Sequence, residues 1–138
     1  MKKMHSLKEI ELEVHRLAEL IDAPKEYLPT FGSSEDGARP HIELDHGIYH
    51  YVIVERGKEL ERHMAPNSDE LLYLIFKDVT FQMAGKYELQ NRRLDEDVRR
   101  QLFEYQEHLI GKIESRYSDR LKLEHQQLLK WSPFNEKK

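Results

Sequence analysis

The chain of 138 residues contains no cysteine. Disulfides, thiolate metal sites and a cysteine nucleophile are therefore excluded, and a reducing compartment suits such a chain. Long apolar runs are also missing. The longest is "LLYLIF", Leu71 to Phe76, against the roughly 20 residues that a membrane span needs. The opening "MKKMHSLKEIELE" has two lysines but no apolar stretch behind them, so it does not read as a signal peptide. Positive charge is not in excess: the formal net charge is −4 and the pI about 6.1. Mild acidity argues against a general nucleic-acid binder and suits a basic partner. No internal repeat, low-complexity segment or flexible linker interrupts the chain. A soluble, cytoplasmic protein with a single domain over residues 1–138 is expected.

What is present is charge and periodicity. Charged residues make up 35% of the chain and apolar residues 38%, where a soluble domain has about 25% charged residues. "SLKE", Ser6 to Glu9, has the spacing of a capping box. Leu7, Ile10, Val14, Leu17, Ala18 and Ile21 follow at helical spacing, which predicts a first helix over 7–21 stopped by Pro24. Residues 24–40 hold three of the five prolines and two glycines, and "PTFGSSEDGARP" reads as a loop. "HIELDHGIYHYVIVERGKELERHM" follows, rich in β-branched and aromatic residues, and predicts a three-stranded antiparallel meander over 41–45, 48–56 and 58–64.

The register of the first hairpin has two solutions. A three-residue turn "DHG" sets Leu44 opposite Ile48 and Ile42 opposite His50. A two-residue turn "HG" sets Leu44 opposite Tyr49 and Ile42 opposite Tyr51. The two bury opposite faces of the middle strand. Both of those faces are largely apolar, which makes this strand central.

Asn67 or Ser68 caps the second helix, whose Leu71, Leu72, Ile75, Val79, Met83 and Tyr87 line one side. A third helix begins near Asp95, with Val98, Leu102, Tyr105, Leu109, Ile113 and Tyr117 recurring every three or four residues. Unbroken to Lys130 it would span roughly 54 Å, so a break is expected near Tyr117–Asp119. A last helix then runs to about Trp131, Pro133 ends it, and "NEKK" is expected to fray. The fold class is α+β: a small antiparallel meander of about three strands packed against three to four α-helices.

The stretch "ELQNRRLDEDVRRQLF" carries the arginine pairs Arg92/Arg93 and Arg99/Arg100. They could grip a phosphate backbone or hold helices together. Glu88 precedes Arg92 by four residues, Asp95 precedes Arg99, and Glu96 precedes Arg100. Acid before base at this spacing is the favourable order on a helix. Between Lys86 and Arg100 five bases face four acids, whereas a phosphate-binding face carries an excess of positive charge. The structural reading is favoured: Glu88, Arg92, Asp95, Glu96, Arg99 and Arg100 form internal ion pairs, with Glu55 at the end of the middle strand as a further partner.

Other chemistry finds little support. His46 and His50 flank a turn and enter a strand, where four residues span about 13 Å, too far for one ion. His41, His50 and His63 meet across the sheet only in a suitable register, and no acid completes a metal triad. No serine sits in a nucleophile elbow. "GSSEDG" lacks the lysine of a phosphate loop and carries two acids. No catalytic residue, metal ligand or cofactor is assigned.

Five segments carry a family resemblance: "PTFG" (Pro29–Gly32), "YVIVERG" (Tyr51–Gly57), "DELLYLIF" (Asp69–Phe76), "AGKYELQNRR" (Ala84–Arg93) and "DEDVRRQLFEYQEHL" (Asp95–Leu109). In this order and spacing, over residues 28–125, the chain resembles the immunity protein 63 family of bacterial polymorphic-toxin systems. The resemblance implies a non-enzymatic protein that binds and neutralises a cognate toxin domain, in many such systems a basic nuclease. On that reading the loop and hairpin acids Glu35, Asp36, Glu43 and Asp45, with Tyr49 and Tyr51 where exposed, form the toxin-facing surface. Glu59 and Glu61 alternate along the last strand, where charge first guards an edge against unwanted pairing. The rivals are a generic protein-interaction or regulatory module, and behind it an RNA-binding domain using Arg92, Arg93, Arg99 and Arg100.

Overall fold

The computed structural model describes residues 5–136. They form four α-helices and a four-stranded mixed sheet, an α+β fold. The chain divides into two compact units, residues 1–76 and 77–138. Helix α2, Ser68–Gln90, gives its first nine residues to the former and the remainder to the latter.

In the first unit, α1 spans Leu7–Glu19. Ser6 accepts from the Glu9 N–H while the Glu9 carboxylate accepts from the Ser6 N–H, the reciprocal cap its sequence predicts. The helix ends two residues before the expected Ile21, because Leu20 caps it and Asp22 turns left-handed at φ 53°. Ile10, Val14, Leu17 and Ala18 are buried along one stripe. Full burial of a side chain such as Ile10 or Val14 contributes about 1.5–3 kcal/mol. A 3₁₀ turn follows at Lys25–Tyr27.

The sheet has the order β1–β2–β3–β4, with β1 Thr30–Phe31, β2 His41–Asp45, β3 Ile48–Glu55 and β4 Lys58–Ala65. The expected meander of three strands is β2–β3–β4. The fourth strand is a correction: Thr30–Phe31, inside the stretch expected to be loop, pairs parallel with His41–Ile42. Two residues carry no periodicity that a sequence can reveal; the pairing exists because the loop folds back alongside β2, with the Gly32 N–H donating to the Ile42 carbonyl.

Both hairpins close through two-residue turns. His46 and Gly47 have φ 51° and 75°, Arg56 and Gly57 φ 52° and 74°. Positive φ at both central positions is the turn whose twist matches that of paired strands, and glycine adopts it without strain. This selects between the two registers: Leu44 pairs with Tyr49 and Ile42 with Tyr51. β3, paired on both edges, is central. β4 is an edge strand, with seven of its eight residues exposed and a bulge opposite Ile53/Val54. Charges and a bulge both protect an edge strand.

Asn67 caps α2, its side-chain oxygen accepting from the Glu70 N–H at 2.9 Å. Leu71, Tyr73, Ile75 and Phe76 are buried in the first unit.

In the second unit, Val79, Thr80, Ala84 and Glu88 of α2 are buried. α3 spans Val98–Ile113 and α4 Ser115–Trp131. The third helix begins three residues later than the expected Asp95, because Asp97 is its N-cap. The break falls at Glu114, whose extended backbone (φ −158°, ψ 124°) separates the two helices, rather than at Tyr117–Asp119. An early corner lets Gly111 lie against Ser118, where a Cβ on the glycine would come within 3.3 Å of the serine Cβ. On α3 the buried residues are Gln101, Phe103, Gln106, Leu109 and Ile110, while Val98 is exposed. The apolar repeat marked the correct side but not its centre, since Gln106 is buried by donating to the Lys77 carbonyl at 2.9 Å. Tyr87 and Tyr105 stack at 3.9 Å, and Tyr117, Leu121 and His125 are the buried stripe of α4.

Candidate functional site

The six residues expected to face a toxin do not form one patch. Asp36 and Asp45 lie at opposite ends of the sheet. The Asp36 carboxylate accepts from the Gly57 N–H at 3.1 Å and from the Gly37 N–H at 3.0 Å, tying its loop to the β3–β4 turn. Asp45 is exposed beside the β2–β3 turn, 2.8 Å from His46 Nδ1. The length of β3, roughly 23 Å for eight residues, separates these turns. Glu35 is exposed and accepts from Arg39 at 2.9 Å.

Glu43 sits between them in the middle of the sheet. One of its oxygens is 2.8 Å from His41 Nε2 and the other accepts from Arg62 Nη1 at 3.0 Å. Arg62 also donates twice to Glu59, at 3.0 and 2.7 Å. Two carboxylates, one on β2 and one on β4, thus share one guanidinium. The hydrogen bonds from His41 and Arg62 hold the Glu43 carboxyl below its ordinary range, Arg62 does the same for Glu59, and Arg62 is itself pushed up by both. Arg62 stands nineteen residues from Glu43 in the chain, and only the strand register brings the two together.

Tyr49 and Tyr51 are buried, at 0% and 6% exposure. The condition for their membership of an interface, exposure, is not met: the two-residue turn directs this face of β3 inward. The Tyr49 hydroxyl donates to the His5 carbonyl and accepts from the His5 N–H at 2.7 Å, which offsets the cost of burying it. Tyr51 lies beside His63, ring centroids 6.3 Å apart.

The arginines are each engaged. Arg92 makes a two-pronged pair with Glu88, at 3.1 and 2.9 Å, and Glu88 is only 4% exposed. Arg93 reaches Glu96 at 3.3 Å. The partners of the second pair differ from those that helical spacing suggests. Arg99 bonds Asp97 rather than Asp95, and Arg100 bonds Glu136 rather than Glu96. The reason is the later helix start: Asp95 stands before the helix, left-handed at φ 67°, and is exposed. Glu55 is exposed at the end of β3, opposite Lys58.

Among the described residues, no group of three His, Asp or Glu side chains is placed to hold a metal ion. His125, buried against Phe103 with ring centroids 3.8 Å apart, is 2.6 Å from Glu107. Charge is divided unevenly along the chain. Residues 1–76 carry fifteen acids and nine bases, and residues 77–138 eleven acids and thirteen bases, so the formal charges are −6 and +2.

The family model for immunity protein 63 matches residues 45–127, more than half of the chain. The chain belongs to that family. No curated protein and no solved structure matches it. The part matched to immunity protein 63 runs from Asp45 through β3, β4, α2 and α3 to Gln127 of α4. Four of the five segments that carry the resemblance fall within it, and "PTFG" falls outside. So do α1, the loop with Glu35 and Asp36, Glu43, and the C-terminal residues from Leu128 onward. Among the described residues, no helix is long and apolar enough to cross a membrane.

Proposed function

We propose that this chain is a single-domain immunity protein that acts in the cytoplasm, binds a cognate toxin domain one to one and blocks it by occlusion, without chemistry of its own. Membership of the immunity protein 63 family is the observation that carries this reading. The charge division supports a basic partner, nuclease-like in composition, meeting the acidic first unit. Within that unit Asp36 and Glu43 serve the fold, as bracket and network members. Of the loop and hairpin acids, Glu35 and Asp45 stay exposed, as does Glu61 on β4, and these three are taken to meet the partner.

The test has two stages. The toxin domain is first identified by co-purification with the full-length chain from the source bacterium, and co-expression is checked for rescue of growth. No co-purifying toxin and no rescue would remove the immunity role. The triple variant Glu35→Lys, Asp45→Lys, Glu61→Lys is then titrated against that toxin. Affinity is expected to fall at least a hundredfold and the association rate at low salt at least tenfold, with an unchanged circular dichroism spectrum. Unaltered affinity would leave the immunity role standing and move the interface off the acidic unit.

A further inference from the structure

α4 ends at Trp131 and Pro133 cannot continue it. The five residues Ser132–Glu136 then turn back across the first turn of α3. Arg99 donates to the Ser132 carbonyl at 2.9 Å and to the Pro133 carbonyl at 3.0 Å. The Asn135 N–H donates to the Asp97 carboxylate at 2.9 Å. Arg100 donates through Nε and Nη2 to the two oxygens of Glu136, both at 2.8 Å, and the Asp97 N–H donates to the same carboxylate at 3.2 Å. The Phe134 ring lies 4.1 Å from the Arg100 guanidinium and walls a groove of about 280 Å³ with Phe103, His125 and Leu129. The expectation that this segment frays is therefore corrected for Asn135 and Glu136; Lys137 and Lys138 lie outside the described residues.

The contacts are of the kind by which a protein holds an extended peptide: two carbonyls and an N–H read along the main chain, an aromatic ring on a cation, and a carboxylate in a two-pronged guanidinium grip. At the joint Ser132 closes α4, its N–H donating to the Leu128 carbonyl at 2.9 Å, while Trp131 is 89% exposed. Beyond Ser132 the segment is held against α3 by contacts of its own.

We propose that the first turn of α3, with Asp97, Arg99 and Arg100, is a peptide-binding site for an extended segment bearing an aromatic ring two residues before a carboxylate, filled here in cis by the chain's own Ser132–Glu136. The site is independent of the toxin-binding reading. Covalent attachment gives the segment a high effective concentration, so the same sequence in trans binds only when the cis copy is weakened.

A fluorescein-labelled peptide of sequence SPFNEKK is titrated by anisotropy against the full-length chain carrying Phe134→Ala and Glu136→Gln. Saturable binding is expected, at least tenfold tighter than to the wild-type chain. Adding Arg100→Gln to the variant, or making the two tail changes in the peptide instead, should each weaken binding at least tenfold. A folded variant that binds the peptide no better than the wild type does overturns the proposal. Should the double variant unfold, Glu136→Gln alone is compared in the same way; unfolding of that variant too would make the segment an inseparable part of the fold and equally overturn it.

Discussion

Replacing Asp97 by alanine removes four hydrogen bonds at once. The carboxylate caps α3 by accepting from the Arg99 N–H at 2.9 Å, accepts from Arg99 Nε at 3.2 Å and Nη2 at 3.0 Å, and accepts from the Asn135 N–H at 2.9 Å. Loss of an N-cap costs about 1 kcal/mol. The pair with Arg99, which is partly exposed, adds no more than about 1 kcal/mol after solvent screening. The Asn135 N–H is free to return to water and adds about 0.5 kcal/mol or less. The total is about 2 kcal/mol, and for a chain of this size Tm should fall by about 6–10 °C. Asp97→Asn keeps a good cap acceptor and loses the charge, so it should cost about half as much.

The pH dependence gives an independent reading. The hydrogen bonds from Arg99, then those from the Asn135 and Arg99 N–H groups, hold the Asp97 carboxyl well below the usual range. A depressed carboxyl stabilises fully above its unfolded-state value, about 3.9, and loses that contribution as pH falls through its folded value. Glu43, Glu59 and Glu136 are depressed as well, but they titrate in the Asp97→Asn variant too, so the difference between the curves reports Asp97 together with its coupling to Glu136. Thermal unfolding at 222 nm should show wild type and Asp97→Asn apart at pH 7 and drawing together below about pH 4. An Asp97→Ala variant melting within about 1 °C of wild type at pH 7 would refute the reasoning, as would a constant gap at all pH values.

Two further substitutions test the packing. Leu121→Ala empties a fully buried position on α4 and should cost about 3 kcal/mol in urea unfolding; a loss under 1 kcal/mol, about what an exposed site gives, would contradict that burial. Tyr49→Phe removes only the hydroxyl tie to His5 and should cost about 1 kcal/mol without altering the far-ultraviolet spectrum, whereas a neutral result would mean the tie does not form in solution.

The helix caps were legible because they act over three residues: Ser6 with Glu9, and Asn67 with the first turn it precedes. The Glu88–Arg92 pair was legible because four residues make about one helical turn. Arg99 misled because Asp95 and Asp97 are both plausible caps, and the choice between them shifts which acid faces the guanidinium. Glu43 could be suspected of function while looking unpaired, since its partner Arg62 is nineteen residues away and the intervening turns decide their alignment. Tyr49 and Tyr51 remained undecided because both faces of β3 are apolar enough to be buried.

The order of elements, the two glycine turns, the central position of β3 and the excess of acid in the first 76 residues are all written in the chain, because each depends on spacing or composition over a few neighbours. Tertiary structure alone decided the direction in which β3 faces, the added strand at Thr30–Phe31, the sharing of Arg62 by two carboxylates, and the capture of Phe134 and Glu136 by the second arginine pair. Those outcomes depend on groups that meet only after distant segments have paired, and local preferences are too weak to specify which of several chemically similar partners arrives.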